Sequence, residues 1–180
     1  MELEEKQLNS ERLYTGPVFT VTRDEVLLPD GKKGFRDLVH SSGGVVILPL
    51  DGEGNVTLVR QFRYAHGHVL LEAVAGKLEK GEEPFAAAQR ELKEETGFTA
   101  AQWDFLGAIE TSPGFLTEKL YLYLARGLTR GAMDLDEGEF LEPVRFGLEE
   151  AAAMAADGRL SDAKTMAVLL RARHLLKGEN

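Results

Sequence analysis

The sequence contains no cysteine among its 180 residues, and this absence excludes several kinds of chemistry. Without thiols the chain can form no disulfide, no thiolate metal site and no covalent intermediate on cysteine. It also has no apolar run approaching the roughly 20 residues of a membrane-spanning helix, so we expect no membrane partner. The N-terminus is acidic and polar and lacks the apolar segment of a secretory signal, which favours a cytoplasmic protein.

Positive charge is scarce as well, because 21 lysines and arginines stand against 30 aspartates and glutamates and give a formal net charge of −9. So acidic a chain argues against general binding of nucleic acid, whose phosphates need basic contacts. It does not exclude a phosphate-bearing ligand, provided that metal ions lie between the carboxylates and the phosphates. The 43% hydrophobic fraction is ordinary for a soluble globular protein with a substantial core.

The hydrophobic pattern predicts an α/β protein, with strands surrounding one central helix and further helices at the C-terminus. A turn at Pro29–Gly31 joins two strands into an N-terminal β-hairpin, and a weak boundary near residue 42 divides the chain into 1–42 and 43–180. We expect an α/β sandwich on a mixed sheet. The predicted strands are 18–28, 35–40, 45–50, 56–63, 69–76, 103–110, 119–125 and 143–148, and the two C-terminal helices are 149–156 and 161–176.

The chain is organised around the stretch Gly76–Phe98, GKLEKGEEPFAAAQRELKEETGF, which crosses a charged turn and enters a helix. Glu91, Glu94 and Glu95 lie three and four residues apart, and a helix stacks residues at that spacing on one face. Like charges so placed cost about 0.2–0.5 kcal/mol per pair. The face therefore either lies in open water or holds a cation, for which carboxylates suit Mg²⁺ or Mn²⁺.

The same helix carries ordinary packing and capping signals. Pro84 suits its first turn, because proline lacks only an N–H that would be unpaired there. Phe85, Ala88 and Leu92 recur at helical spacing and predict the core-facing stripe. Gly97 stands where a left-handed residue is expected to end the helix.

The spacing of the whole stretch carries a resemblance. Gly76 is followed after five residues by Glu82, and after seven more by Arg90 and the run RELKEETGF. This arrangement resembles the signature of the Nudix hydrolase family, with every fixed position occupied and an aromatic Phe98 where an aliphatic residue is usual. The resemblance implies a Nudix-type α/β/α sandwich on a mixed sheet. It also implies Mg²⁺-dependent or Mn²⁺-dependent hydrolysis of a nucleoside diphosphate linked to another moiety.

The resemblance assigns roles within the stretch. It implies that Glu82 and Arg90 form a structural clamp on the turn before the helix. It implies that metal ions are held by three helix carboxylates, of which the second assists, and by a backbone carbonyl just before the signature glycine. Those positions are Glu91, Glu94 and Glu95 for the carboxylates and Ala75 for the carbonyl.

Beyond the stretch, Pro113 lies sixteen residues after Gly97 within the sequence SPGF, which resembles the ADP-ribose pyrophosphatase subgroup. An ordinary turn is the alternative explanation. The subgroup resemblance implies a substrate cleft that includes Ser112, Gly114 and Glu118, and cleavage of ADP-ribose to AMP and ribose 5-phosphate. GDP-mannose or another nucleoside diphosphate sugar is the alternative substrate, and a non-catalytic nucleotide-binding module is the alternative from a different class.

An acidic loop, DEGEF at residues 136–140, is either a solvated run of charge or part of the site. The subgroup resemblance implies that Glu137 is the catalytic base and Glu139 a further metal ligand. The two assignments can be exchanged, because an acidic loop aligns loosely.

The resemblance extends to the N-terminal hairpin, which it implies is swapped between the two chains of a homodimer. Arg36 would then stack on adenine or contact a phosphate, and Arg63 would meet the diphosphate of the same chain. Arginine suits both tasks because its head group is planar and carries several donors.

Overall fold

The computed structural model describes residues 3–178, which form two compact units. One unit runs to Gly43 and includes Glu110–Lys119, and the other comprises Gly44–Ile109 and the chain from Leu120 onward. The strands are β1 (Lys6–Thr15), β2 (Thr20–Leu27), β3 (Lys33–His40), β4 (Gly44–Pro49), β5 (Asn55–Arg63), β6 (His68–Lys77), β7 (Phe98–Glu110), β8 (Lys119–Arg130) and β9 (Leu141–Gly147). The helices are α1 (Pro84–Thr96), α2 (Leu148–Asp157) and α3 (Ala163–Gly178).

The first unit is built on a three-stranded antiparallel sheet in the order β1-β2-β3. The predicted hairpin is present as β2 and β3. Strand β1 was not predicted, and all ten of its residues are exposed. A strand without a buried face shows no alternation of apolar and polar residues, so only its backbone pairing with β2 defines it.

The second unit is a six-stranded mixed sheet in the order β7-β8-β4-β6-β5-β9, with helices on both faces. Strand β4 runs parallel to β8 and antiparallel to β6. Alternate β4 residues serve two separate cores: Val46 and Leu48 pack with residues of α2 and α3, whereas Val45 and Ile47 pack with residues of α1. The predicted α/β/α sandwich on a mixed sheet is confirmed. No helix within residues 3–178 combines the length and apolarity needed to cross a membrane.

Helix α1 begins and ends where the sequence predicted. Pro84 occupies its first turn, and Gly97 ends it with a φ of 71° and an N–H that donates to the Lys93 carbonyl at 2.8 Å. A β-carbon at position 97 would also lie 2.6 Å from the carbonyl oxygen of Gly131. Glycine is therefore required there both by the left-handed backbone and by the close approach of the chain after β8.

One member of the predicted stripe lies elsewhere. Ala88 and Leu92 are fully buried, but Phe85 is 44% exposed and packs edge-on against Trp103 at 5.5 Å between ring centroids. The expectation of a core Phe85 was wrong, because Ala87 and Ala88 bring the start of the helix close to the sheet and leave the larger ring at the rim.

Candidate active site

The carboxylate face of α1 is turned inward. Glu91 is 9% exposed and Glu95 only 2%, while Glu94 is half-buried. The open-water explanation of this face therefore fails for two of its three carboxylates. Burying ionised carboxylates is costly unless cations or donors compensate, so the partners of each one decide what the face can do.

Arg90 supplies compensation on one side of the face. Its Nε and Nη2 each donate to Glu82 at 3.0 Å, so the predicted clamp is present. Its Nη1 donates to Glu91 Oε1 at 2.7 Å and to Glu94 Oε2 at 2.9 Å. A further bond from Nη2 to the carbonyl of Lys77, 3.2 Å long, attaches the clamp to the end of β6. One guanidinium thus orients two of the predicted metal ligands.

Among residues 3–178, no arginine or lysine donates a hydrogen bond to Glu95 as Arg90 does to Glu91. The Oε2 atom of Glu95 is buried and has no hydrogen-bond partner among residues 3–178. Burial, together with the charges of Glu139 and Glu91, raises the pKa of Glu95 to about 9, although a hydrogen bond from the Ala75 backbone opposes the shift. Burial likewise raises the pKa of Glu91, against the opposing influence of Arg90. The side of the face around Glu95 is therefore short of positive charge.

The backbone of β6 lies directly against this face. A β-carbon on Gly76 would lie 1.8 Å from the Cδ and Oε1 atoms of Glu91. Only glycine leaves room for that carboxylate, and Ala75 is the neighbouring residue on the strand. The predicted carbonyl ligand and the three predicted helix carboxylates thus come from two adjacent elements, β6 and α1, which share one core.

A cavity of about 340 Å³ opens beside these groups. Its lining combines the ends of β5 and β6, the turn that follows β6, two residues of α1 and the acidic loop: Arg63, Ala75, Gly76, Lys77, Leu78, Glu79, Arg90, Glu91, Asp136 and Glu139. The structure thus brings together the predicted residues Arg63, Ala75, Glu91 and Glu139, with Glu95 buried beneath. Glu137 is exposed and does not line the cavity, whereas Asp136, which the sequence analysis did not select, does.

The donor set suits a hard divalent cation. Carboxylate and carbonyl oxygens are the ligands that Mg²⁺ and Mn²⁺ prefer, and the unpartnered oxygen of Glu95 is an acceptor that a cation would satisfy. Within the described part of the chain, no three histidine, aspartate or glutamate side chains already converge on one cation position. Glu91 and Glu94 each direct one oxygen to the Arg90 guanidinium instead.

The remaining predicted substrate residues belong to the first unit. Arg36 pairs with Glu5 and donates to the carbonyl of Phe35 at 2.9 Å. Glu118 accepts a hydrogen bond of 2.9 Å from Thr111 and lines a cavity of about 280 Å³ with Pro113 and Phe115. Ser112 accepts backbone bonds that close the turn, and Gly114 is exposed.

Two residues beside the cavity were missed by the sequence analysis. Glu72 forms ion pairs with both Arg63 and Lys164. A signal for Glu72 was available, because it is the only charged residue in the apolar run VLLEAVAG. A lone carboxylate in a buried strand needs a partner, and no local pattern reveals a partner that is distant in sequence.

Comparison with known proteins gives consistent matches along the chain. The NUDIX domain family model matches residues 40–169, and the model for the nucleoside diphosphate sugar hydrolase N-terminal domain matches residues 5–39. An ADP-ribose pyrophosphatase of Bacillus subtilis (strain 168) is 41% identical over 165 residues, covering 91% of this chain and 89% of the relative. A methanol dehydrogenase activator of Bacillus methanolicus is 38% identical with the same coverage of both chains. A crystal structure of an ADP compounds hydrolase matches with a TM-score of 0.87 at 25% identity, covering 100% of this chain and 98% of the other.

Proposed function

The chain belongs to the Nudix hydrolase family, and from that membership we propose that it hydrolyses ADP-ribose to AMP and ribose 5-phosphate. The observation that carries the proposal is the buried pair Glu91 and Glu95 beside the cavity, with one carboxylate oxygen unpartnered among the described residues. The relative named ADP-ribose pyrophosphatase supports the choice of substrate.

We place the metal site at the junction of α1, β6 and the acidic loop. Its proposed ligands are the Ala75 carbonyl and the carboxylates of Glu91, Glu94, Glu95 and Glu139. Mg²⁺ is the proposed ion and Mn²⁺ its substitute, because both prefer oxygen donors. A divalent ion bound there would neutralise diphosphate charge and lower the pKa of a water molecule.

The proposed reaction needs one base and one donor from the chain. Glu137 takes a proton from the attacking water molecule while the oxygen of that water bonds to one phosphorus atom. The bond between that phosphorus and the bridging oxygen breaks, and the bridging oxygen leaves with the other phosphate. Arg63, whose guanidinium lines the cavity, donates to phosphate oxygens. Because Glu137 is exposed outside the cavity lining, this proposal requires the acidic loop to move toward the substrate.

The remaining predicted residues are proposed to contact the rest of the substrate. We assign Ser112, Gly114 and Glu118 to its cleft, and Arg36 to the adenine or a phosphate. We also propose that residues 1–42 exchange between the subunits of a homodimer. The exposure of Leu8, Leu13 and Tyr14 on β1, each close to half, supports a second chain covering this strand. A monomeric mass by light scattering at micromolar concentration would contradict the exchange.

A regulatory role is the second candidate, because one relative is named as an activator of another enzyme. A chain with only that role would bind nucleotides without cleaving them. The glutamates of the family signature, Glu82, Glu91, Glu94 and Glu95, are all present in this chain, which favours hydrolysis.

A substrate panel tests the proposal. ADP-ribose, GDP-mannose, a diadenosine polyphosphate, NADH and 8-oxo-dGTP are each incubated with Mg²⁺, and phosphate release is followed after a phosphatase step. We expect the highest kcat/KM for ADP-ribose. Preference for GDP-mannose would keep the reaction and change the sugar nucleotide, and preference for a compound outside the nucleoside diphosphate sugars would overturn the substrate class.

A further inference from the structure

Glu72 is a buried carboxylate that the reaction described above does not use. It lies within β6 and is 1% exposed. Its two oxygens accept from Arg63 Nε at 2.6 Å and from Arg63 Nη2 at 2.9 Å. This paired geometry holds the plane of the guanidinium in one orientation, which a single hydrogen bond would not do.

Lys164 approaches the same carboxylate from α3. Its ammonium pairs with Glu72 and donates to Asp162 Oδ1 at 2.9 Å. The other oxygen of Asp162 accepts from the backbone N–H of Thr165 at 2.9 Å, and the Thr165 hydroxyl accepts from the Ala73 N–H at 2.6 Å. The start of α3 is therefore attached to β6 at two neighbouring residues, Glu72 and Ala73.

The ionisation of Glu72 is stabilised by the two cations beside it. Burial alone would raise the pKa of Glu72, but the hydrogen bonds and charges of Arg63 and Lys164 lower it overall. Glu72 is therefore ionised at neutral pH and can hold two cations. Removing its charge would take from Arg63 its ion-pair partner and would leave Lys164, whose side chain is only 16% exposed, with Asp162 alone.

The Nη1 group of Arg63 does not bond to Glu72 and is therefore available to a substrate. Arg63 lines the cavity beside Glu91, and within residues 3–178 no acceptor is bonded to its Nη1. Its pKa is raised chiefly by the hydrogen bond to Glu72, so the guanidinium keeps its charge. A side chain fixed by one edge can donate from the other edge with little further loss of rotamer freedom.

We propose that Glu72 and Lys164 are positioning residues that hold Arg63 with its Nη1 edge toward the diphosphate of the substrate. This inference rests on the proposed function, since it specifies how that site recognises the phosphates. Neither residue touches the substrate. They affect substrate binding only through Arg63, so their effect should disappear when Arg63 is replaced.

A double-mutant cycle tests that dependence. We expect Glu72→Gln to raise KM for ADP-ribose by about 10–100-fold, with a smaller change in kcat. In an Arg63→Met background the same substitution should change KM little further. Glu142→Gln is the matched control. It removes an exposed ion pair with Arg60, which lies on β5 as Arg63 does, and it should leave KM unchanged. An equal KM effect of Glu72→Gln with and without Arg63 would overturn the proposal.

A second pair of variants covers the case in which Glu72→Gln does not fold. Lys164→Met removes one of the two cations, whereas Lys164→Arg keeps the charge. We expect KM to rise in Lys164→Met and to return toward the wild-type value in Lys164→Arg. An unchanged KM in folded Lys164→Met would remove Lys164 from the proposal.

An NMR readout separates this proposal from the proposed function. The Nε–H of Arg63 should exchange slowly with solvent in the wild type and quickly in folded Glu72→Gln or Lys164→Met. A protein that hydrolyses none of the panel compounds but shows this difference would contradict the function and support the fixed geometry of Arg63. Fast exchange in the wild type would contradict the fixed geometry whatever the protein hydrolyses.

Discussion

The backbone of Gly76 lies so close to the Glu91 side chain that a β-carbon at position 76 would come within 1.8 Å of its carboxylate. The contact joins the end of β6 to the buried face of α1. Because the group in the way is the far end of a flexible side chain, an added methyl group can be accommodated if the Glu91 carboxylate moves. Function should therefore respond to a substitution here more than stability does.

We accordingly predict that Gly76→Ala lowers Mg²⁺-dependent kcat by about 100-fold or more, because misplacing a reacting group by about 1 Å can cost that much. The free energy of unfolding should change little. Gly52→Ala is the control, since a β-carbon there meets nothing within 4 Å. Steady-state kinetics with a Mg²⁺ titration and urea unfolding measure both effects. Wild-type kcat and Mg²⁺ dependence in Gly76→Ala would contradict the placement of Glu91 at the metal.

Arg90 should contribute to stability through its planar head group. Arg90→Lys keeps the charge but cannot bond Glu82 through two nitrogens while also reaching Glu91 and Glu94. We predict a loss of about 1–3 kcal/mol in the free energy of unfolding, measured in urea. Arg173→Lys, at the exposed ion pair with Glu149, is the control and should have little effect. An equal change in the free energy of unfolding of the two variants would mean that the clamp adds nothing to stability.

The raised pKa of Glu95 predicts a pH dependence of stability in EDTA. Its usual pKa is 4.5 and its value in the folded protein is about 9, so between these limits the folded state keeps a proton that the unfolded chain releases. The contribution of Glu95 to stability therefore falls as pH rises through this window. Wild type should lose stability relative to Glu95→Gln between pH 5 and pH 9, as followed by urea unfolding. Saturating Mg²⁺ should reduce the loss, and parallel profiles in EDTA would contradict the prediction.

Separate substitutions in the acidic loop distinguish its proposed roles. We predict that Glu137→Gln lowers kcat by about 10²–10⁴-fold with an unchanged Mg²⁺ requirement, as expected for a general base. Glu139→Gln should instead raise the Mg²⁺ concentration needed for half-maximal activity. Glu142→Gln is the control, because Glu142 follows the loop on β9, does not line the cavity and should leave both quantities unchanged. If Glu139→Gln alone lowers kcat at saturating Mg²⁺, the two assignments are exchanged.

The helix and its neighbourhood were predictable because their signals are local. Pro84 and Gly97 mark the ends of α1, and helical spacing alone places Glu91 and Glu95 on one face. Strand β1 escaped prediction because no residue on it is buried. The contacts of Glu72 with Arg63 and Lys164 also escaped, because Lys164 is 92 residues distant and only the packing of α3 on β6 brings it near. Asp136 could not be told from Glu137, since neighbouring acids in a loop carry no periodic signal.

The most direct test of the central claim is the hydrolysis of ADP-ribose by wild type and Glu91→Gln with Mg²⁺, with products identified by chromatography and mass spectrometry. Wild type should release AMP and ribose 5-phosphate in equal amounts, and EDTA should abolish the reaction. Glu91→Gln should remain folded and lose most of the turnover. Absence of hydrolysis by wild type, or equal turnover by folded Glu91→Gln, would contradict the assignment of this buried carboxylate face as a metal-dependent hydrolytic site.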